Sequence, residues 1–173
     1  FMVREGIMTI LADNKGRVAI VGIVVLLLVG YSYWQSFAAI ELAEGLPPDA
    51  VQISHGNCED GDTAHSCEGN VSVMEVNGSY FLYFEDYDAT DVPDVWFYMT
   101  KNGHEGDTDA VEEQGLLILV PQTMEESDGR AEVEGTFIIP LPDDFDPQSW
   151  NGLSVWCEDY NILVGSVEFT FNQ

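Results

Sequence analysis

At 173 residues and 46% hydrophobic side chains, the chain has room for one globular domain of ordinary size plus an extension. Asp and Glu number 31 against 5 Lys and Arg, a formal net charge of -26, and beyond residue 40 the only basic side chains are Lys101 and Arg130. A surface of that sign lacks the Lys/Arg patches that nucleic acid and anionic headgroups require, which excludes nucleic-acid binding.

Self-repulsion at this charge density opposes compaction unless salt screens it or cations bind. The composition therefore points to a high-salt setting of the halophile or marine kind, with cations bound on the acidic surface as the alternative.

In chain order, residues 1–17 form a leader in which "EGIMTILADN" (5–14) reads as a short cytosolic or interfacial helix. Phe1 and Glu5 resemble the opening of mature type IV pilins, although Asp13, Lys15 and Arg17 interrupt the apolar run that a pilin needs. Val18 to Ile40 carries no charge for 23 residues, enough to cross a hydrocarbon core as a helix. Lys15 and Arg17 precede it and Glu41 follows, so the positive-inside rule predicts a single-pass cell-membrane protein with a cytoplasmic N-terminus and an extracytoplasmic domain. A cleaved signal peptide is the competing reading, since "SFA" before Ala39 imitates a cleavage site, but the apolar stretch is long for a signal. Ser32, Gln35 and Ser36 offer polar contacts for packing against the helices of other membrane subunits.

Residues 41–57, with Pro47-Pro48 and an acidic flank, read as a linker, and the folded unit is expected over 58–173. Seven short runs follow, "NVSVMEV", "SYFLYFE", "DVWFYMT", "GLLILV", "AEVEGTFII", "LSVWCE" and "SVEFTFN". With no convincing helix among them, they predict an all-β antiparallel sandwich of about seven strands behind one transmembrane helix. Asn77-Gly78 between the first two runs is the pair that a type I′ hairpin turn favours, because both positions need positive φ. In the sixth run alternation puts Leu153, Val155 and Cys157 on one face and Ser154, Trp156 and Glu158 on the other; in the last, Val167, Phe169 and Phe171 oppose Ser166, Glu168 and Thr170.

The order of these motifs, "HSCEGNVSV", "NGSYFLYFEDYDATDVPDVWFYMTKNG", "IIPLPDDFDP" and "LSVWCEDYNILVGSVEF", resembles the electron-transfer DM-thirteen domain, a β-sandwich module often found beside DOMON domains. The resemblance covers about residues 58–173 and is most specific at Pro93-Asp94, at Val155-Trp156-Cys157 and at Gly165. It implies a redox role for the family's single cysteine, here Cys157, and matches His65 and Gly69 to the family's His and Gly. Cys67, in a usually apolar position, and Cys58 depart from the pattern.

The three cysteines divide by context. Cys58 and Cys67, with eight residues between them, suit a local disulfide in an oxidising exterior, with about 2 to 3 kcal/mol of loop-closure stabilisation. Cys157 is then the odd thiol; followed by Glu158 and Asp159, it lacks the positive surroundings that favour a thiolate, and a buried structural role competes with a redox or metal-binding one. His55, His65 and His104, with Cys157, Met74 and Met99, are the ligand types of a copper site, but no HxH, HxxxH or CxxC spacing unites them. No cofactor is expected, with copper as the alternative. "EDYDATDVPD" lacks the Gly and Glu spacing of an EF-hand and reads as a solvated acidic loop. Asn70 and Asn77 head glycosylation sequons.

No GxSxG, HExxH, P-loop or Rossmann glycine pattern occurs, so the chain is not expected to be an enzyme and no residue is assigned a catalytic role. The expected function is that of an accessory subunit of a larger membrane complex, of redox or photosynthetic type, whose acidic domain caps the outer face. The alternatives are a cell-surface electron-transfer or metal-binding module using Cys157 and His65, and a filament or envelope-layer subunit.

Overall fold

The structure is a computed structural model that describes residues 46–122, 124 and 128–172. Nine antiparallel strands make up about half of it: β1 (Val51–Asp60), β2 (Cys67–Val76), β3 (Ser79–Ala89), β4 (Val95–Thr100), β5 (Leu116–Ile118), β6 (Gly135–Pro140), β7 (Gly152–Cys157), β8 (Ile162–Glu168) and β9 (Thr170–Phe171). A π-helical turn at Asp109–Glu113 and a 3-10 turn at Pro147–Ser149 are the helical pieces among the described residues. None is long and apolar enough to cross a membrane. The predicted span 18–40 and its leader 1–17 lie outside the described residues.

The all-β antiparallel class holds, but the arrangement differs from two separate sheets. The strands form one continuous sheet in the order β5-β4-β7-β8-β1-β2-β3-β6, with β9 added beside β1, curled into a half-barrel. β1 makes the continuity: Val51 to Asn57 pair with β2, while Cys58 to Asp60 pair with Val167 to Gly165 of β8. Such a strand serves both halves of the sheet, a fact that alternation within single runs does not encode.

β1 also corrects the domain boundary. Residues 51–57, read from sequence as part of a linker, are strand. The fully buried positions of β1 are Ser54 and Cys58, while Ile53 packs against the core only in part and Val51 is exposed, so the strand lacks the alternating apolar pattern by which a half-buried strand announces itself. The last run divides into β8 and β9 because Phe169 leaves the ladder to bond the carbonyl of Asn151 at 2.7 Å.

The Asn77-Gly78 turn has φ of 53° and 85°, and Val76 pairs with Ser79 across it, as a two-residue hairpin requires. Inside the curl lie Val71, Val73, Leu82, Phe84, Phe97, Ile139, Leu153, Val155 and Val167, all essentially inaccessible. Phe84 stacks on Phe137 with centroids 4.5 Å apart, and Tyr87 meets Phe84, Phe97 and Phe137 edge-on. The Tyr87 hydroxyl is buried without a hydrogen-bond partner among the described residues, and desolvation drives its pKa strongly upward.

The outer face of β4 and β7 is not the wet side that alternation suggests. Ser154 and Trp156 are fully buried there, because the segment after β4 folds back over them. Thr100 Oγ1 donates to the Gly103 carbonyl at 3.2 Å, Ser154 Oγ to the Glu105 carbonyl at 2.9 Å, and Val111 packs with Tyr98 and Trp156 in a second small core.

Candidate functional site

Cys157 ends β7, with Val95 of β4 opposite on one side and Ile162 of β8 on the other. It is 1% exposed and belongs to the main core, on the face shared with Leu153 and Val155. Its thiol donates to the Pro93 carbonyl at 3.1 Å. Proline fixes its own φ and has no N–H, and the Pro93-Asp94 turn carries this carbonyl to the sulfur just before β4. A thiol so placed behaves as a small core side chain with one weak hydrogen bond.

Asp94, next in line, holds the left-handed φ of 56° that Asp tolerates better than most residues. Its carbonyl accepts from Glu158 N–H at 3.1 Å and its carboxylate from the Trp96 indole at 3.2 Å. Arg130 Nε lies 3.7 Å from the same carboxylate oxygen, and its guanidinium stands 6.0 Å above the Trp96 ring. Pro93-Asp94 therefore ties the start of β4 to the end of β7 on both faces of the sheet.

On the outer face, Trp96 and Trp156 are direct cross-strand neighbours, and Tyr98 lies opposite Ser154 one step along the same face. The Trp156 indole donates to Glu112 of the π-helical turn at 2.8 Å, and the Tyr98 phenol donates to Glu158. Burial, then the Glu158 hydrogen bond and its charge, with Glu112 and Asp94 beyond, hold the Tyr98 phenol far above its usual 10.0. Sequence reasoning assigned no role to Trp96, Tyr98, Glu112, Arg130 or Glu158. Alternation through "VWFYMT" and "SVWCE" does put the three aromatics on one face, and a buried indole or phenol needs an acceptor; the folding back of residues 101–115 is what supplies the burial.

Cys58 and Cys67 are joined in a disulfide with Cα atoms 5.4 Å apart. It fastens the end of β1 to the start of β2 and lies over Gly165 of β8, where a Cβ would come within 2.3 Å of the Cys67 Cβ. Only glycine allows that approach. Asp60 Oδ1 accepts from Cys67 N–H at 2.9 Å on the same corner.

The histidines and Cys157 do not come together. His55 is exposed on β1. His65 bonds Asp62 through Nδ1 at 2.9 Å, and that carboxyl is held below its usual 3.8 by the Ala64 N–H first and the His65 ring second. His104 Nδ1 meets Ser166 Oγ at 2.6 Å, with Glu59 and Glu168 each 3.5 Å from Nε2. Met99 lies in the main core and Met74 is buried on β2. Among the described residues no three His, Cys, Asp or Glu side chains are grouped as metal ligands.

A family model described as electron transfer DM13 matches residues 61–169. The chain belongs to the electron transfer DM13 family. The DM13 match runs from the turn after β1 to Phe169, so it includes Cys67, Cys157 and Gly165 and leaves Cys58 outside. The disulfide thus joins a DM13 residue to an added strand. No curated protein and no solved structure matches the chain.

Proposed function

We propose that this DM13 protein is an electron-transfer accessory module held at the outer face of a membrane, where its acidic domain docks against a larger redox complex. The family match over 61–169 carries the reading. Three features support it. A disulfide belongs to an oxidising compartment. The uncharged stretch 18–40 has the length and flanking charges of an anchor. The net charge of -26 steers association toward basic partner surfaces.

Cys157 serves this module as a core residue, since a thiol 1% exposed and bonded to a backbone carbonyl has no path to a surface partner. Purification of the full chain in mild detergent, with mass spectrometry and optical spectra of what accompanies it, tests the proposal. A stoichiometric partner containing a redox cofactor is the expected result; a chain that migrates alone overturns the accessory role. Rapid thiol labelling of Cys157 in the native state would overturn its assignment to the core.

A further inference from the structure

Three oxidisable side chains share the outer face of β4 and β7, and each donates its acidic hydrogen to a different carboxylate. The Trp96 indole bonds Asp94 at 3.2 Å, the Trp156 indole bonds Glu112 at 2.8 Å, and the Tyr98 phenol bonds Glu158. The three are contiguous: Trp96 and Trp156 are cross-strand neighbours, and Tyr98, Trp156 and Trp96 pack in one cluster with Val111 and Leu163. Tyr98 is 6% and Trp156 0% exposed, whereas Trp96, beneath the half-exposed Arg130, reaches the surface in part.

We propose that Trp96, Tyr98 and Trp156 form a relay for one-electron oxidation, with Asp94, Glu158 and Glu112 as their proton acceptors. Loss of an electron turns a phenol or indole into a strongly acidic radical cation, so oxidation is easiest where a base already accepts a hydrogen bond from that group and can take the proton. At the surface, Trp96 gives one electron to a high-potential acceptor, a metal centre of the ruthenium(III) polypyridyl class in the test below, and its indole proton passes to Asp94. Trp156 re-reduces Trp96, which takes its proton back from Asp94, while the Trp156 indole proton passes to Glu112. Tyr98 re-reduces Trp156 in turn; the Glu112 proton returns to the indole and the phenolic proton crosses to Glu158, leaving a neutral tyrosyl radical and a carboxylic acid. A one-electron donor of the ascorbate class, acting at the Trp96 end, returns the electron along the same path, and the proton returns from Glu158 to the phenol.

The core supplies an internal contrast. Tyr87 is buried to a similar degree, yet its hydroxyl has no acceptor among the described residues. It is the same side chain without the base. Cys157 faces the opposite side of the sheet and takes no part.

The relay rests on the electron-transfer reading for its purpose in the molecule, but its chemistry is testable on the chain alone. The full chain is oxidised by a flash-generated ruthenium(III) polypyridyl complex, and radicals are followed by transient absorption and by electron paramagnetic resonance after freezing. Wild type is expected to form a long-lived tyrosyl radical, with slower formation in D2O because a proton moves with the electron. Tyr98→Phe abolishes that long-lived fraction, and Glu158→Gln slows its formation by about a hundredfold, the lower end of the range for a lost general base, with a matching fall in yield. Trp156→Phe slows its appearance. Tyr87→Phe and Cys157→Ala leave it intact, and Tyr160→Phe removes only short-lived signal from that exposed ring. Thermal melts confirm that each variant is folded; the near-isosteric Glu158→Gln keeps the test informative if Tyr98→Phe does not fold. Equal long-lived yield in wild type, Tyr98→Phe and Glu158→Gln, or no isotope effect, overturns the relay. If the radical behaves as expected but no redox partner accompanies the chain, the accessory role fails and the relay stands.

Discussion

Removing the Cys58–Cys67 disulfide is expected to destabilise the domain without changing its fold. The two residues are 9 apart in sequence, and closing a loop of that size stabilises the folded state by about 2.6 kcal/mol at 25 °C in the chain-entropy account. Spread over a domain of roughly 130 residues, whose unfolding entropy at the melting temperature is about 0.27 kcal/mol/K, that corresponds to a fall of about 9 °C in Tm. The figure is a floor, because Cys58→Ala/Cys67→Ala also removes sulfur packed against Gly165, and neighbours that cannot collapse onto the gap add to the loss. Calorimetry of wild type and the double variant, each with and without reductant, is the assay. Reductant should lower the wild-type Tm to near that of the variant and leave the variant where it is. A reduced wild type, its thiols verified by mass spectrometry, that melts within about 3 °C of the oxidised form would refute the assignment of this staple to stability.

Other outcomes follow from the same structure. Tyr87→Phe deletes a buried hydroxyl with no partner among the described residues, so urea unfolding should show a gain of about 1 kcal/mol. Raising salt from about 0.01 M to about 1 M shortens the screening length from about 30 to about 3 Å, and with a net charge of -26 the Tm should rise across that range rather than fall. Asp62 has its pKa depressed below 3.8, so it favours the folded state above that pH and loses the contribution as pH falls through its folded value. Asp62→Asn should accordingly flatten the acid limb of a urea-midpoint profile below about pH 4, and an unchanged limb would remove Asp62 from the account of acid stability.

Much of the fold was legible because the relevant physics is local. Asn77-Gly78 announced its turn through the positive φ that both positions need, and the core face of β7 followed from alternation at Leu153, Val155 and Cys157. β1 stayed hidden because Ser54 and Cys58 are its fully buried side chains, so its apolar signal is too weak to separate it from a linker. The joining of two expected sheets into one depends on β1 changing partner at Cys58, a long-range event with no mark in the run itself.

The site was legible in a narrower way. Cys157 was singled out by its resemblance-specific strand, and the same alternation turned it inward; Glu158, directly after it, serves the other face by accepting from Tyr98. Pro93-Asp94 was visible as a motif, but its work depends on residues far along the chain: the Pro93 carbonyl meets Cys157, and the Asp94 carboxylate meets Arg130. The pairing of Trp156 with Glu112 was not readable, since it requires residues 101–115 to fold back over a face that the strand pattern leaves wet.

The most direct measurement of the proposed role is the rate at which a redox partner isolated with the chain passes on its electrons, before and after the chain is removed. Removal should slow that transfer several-fold, and adding back purified chain should restore it. An equal rate in the stripped and complete preparations would contradict an electron-transfer function.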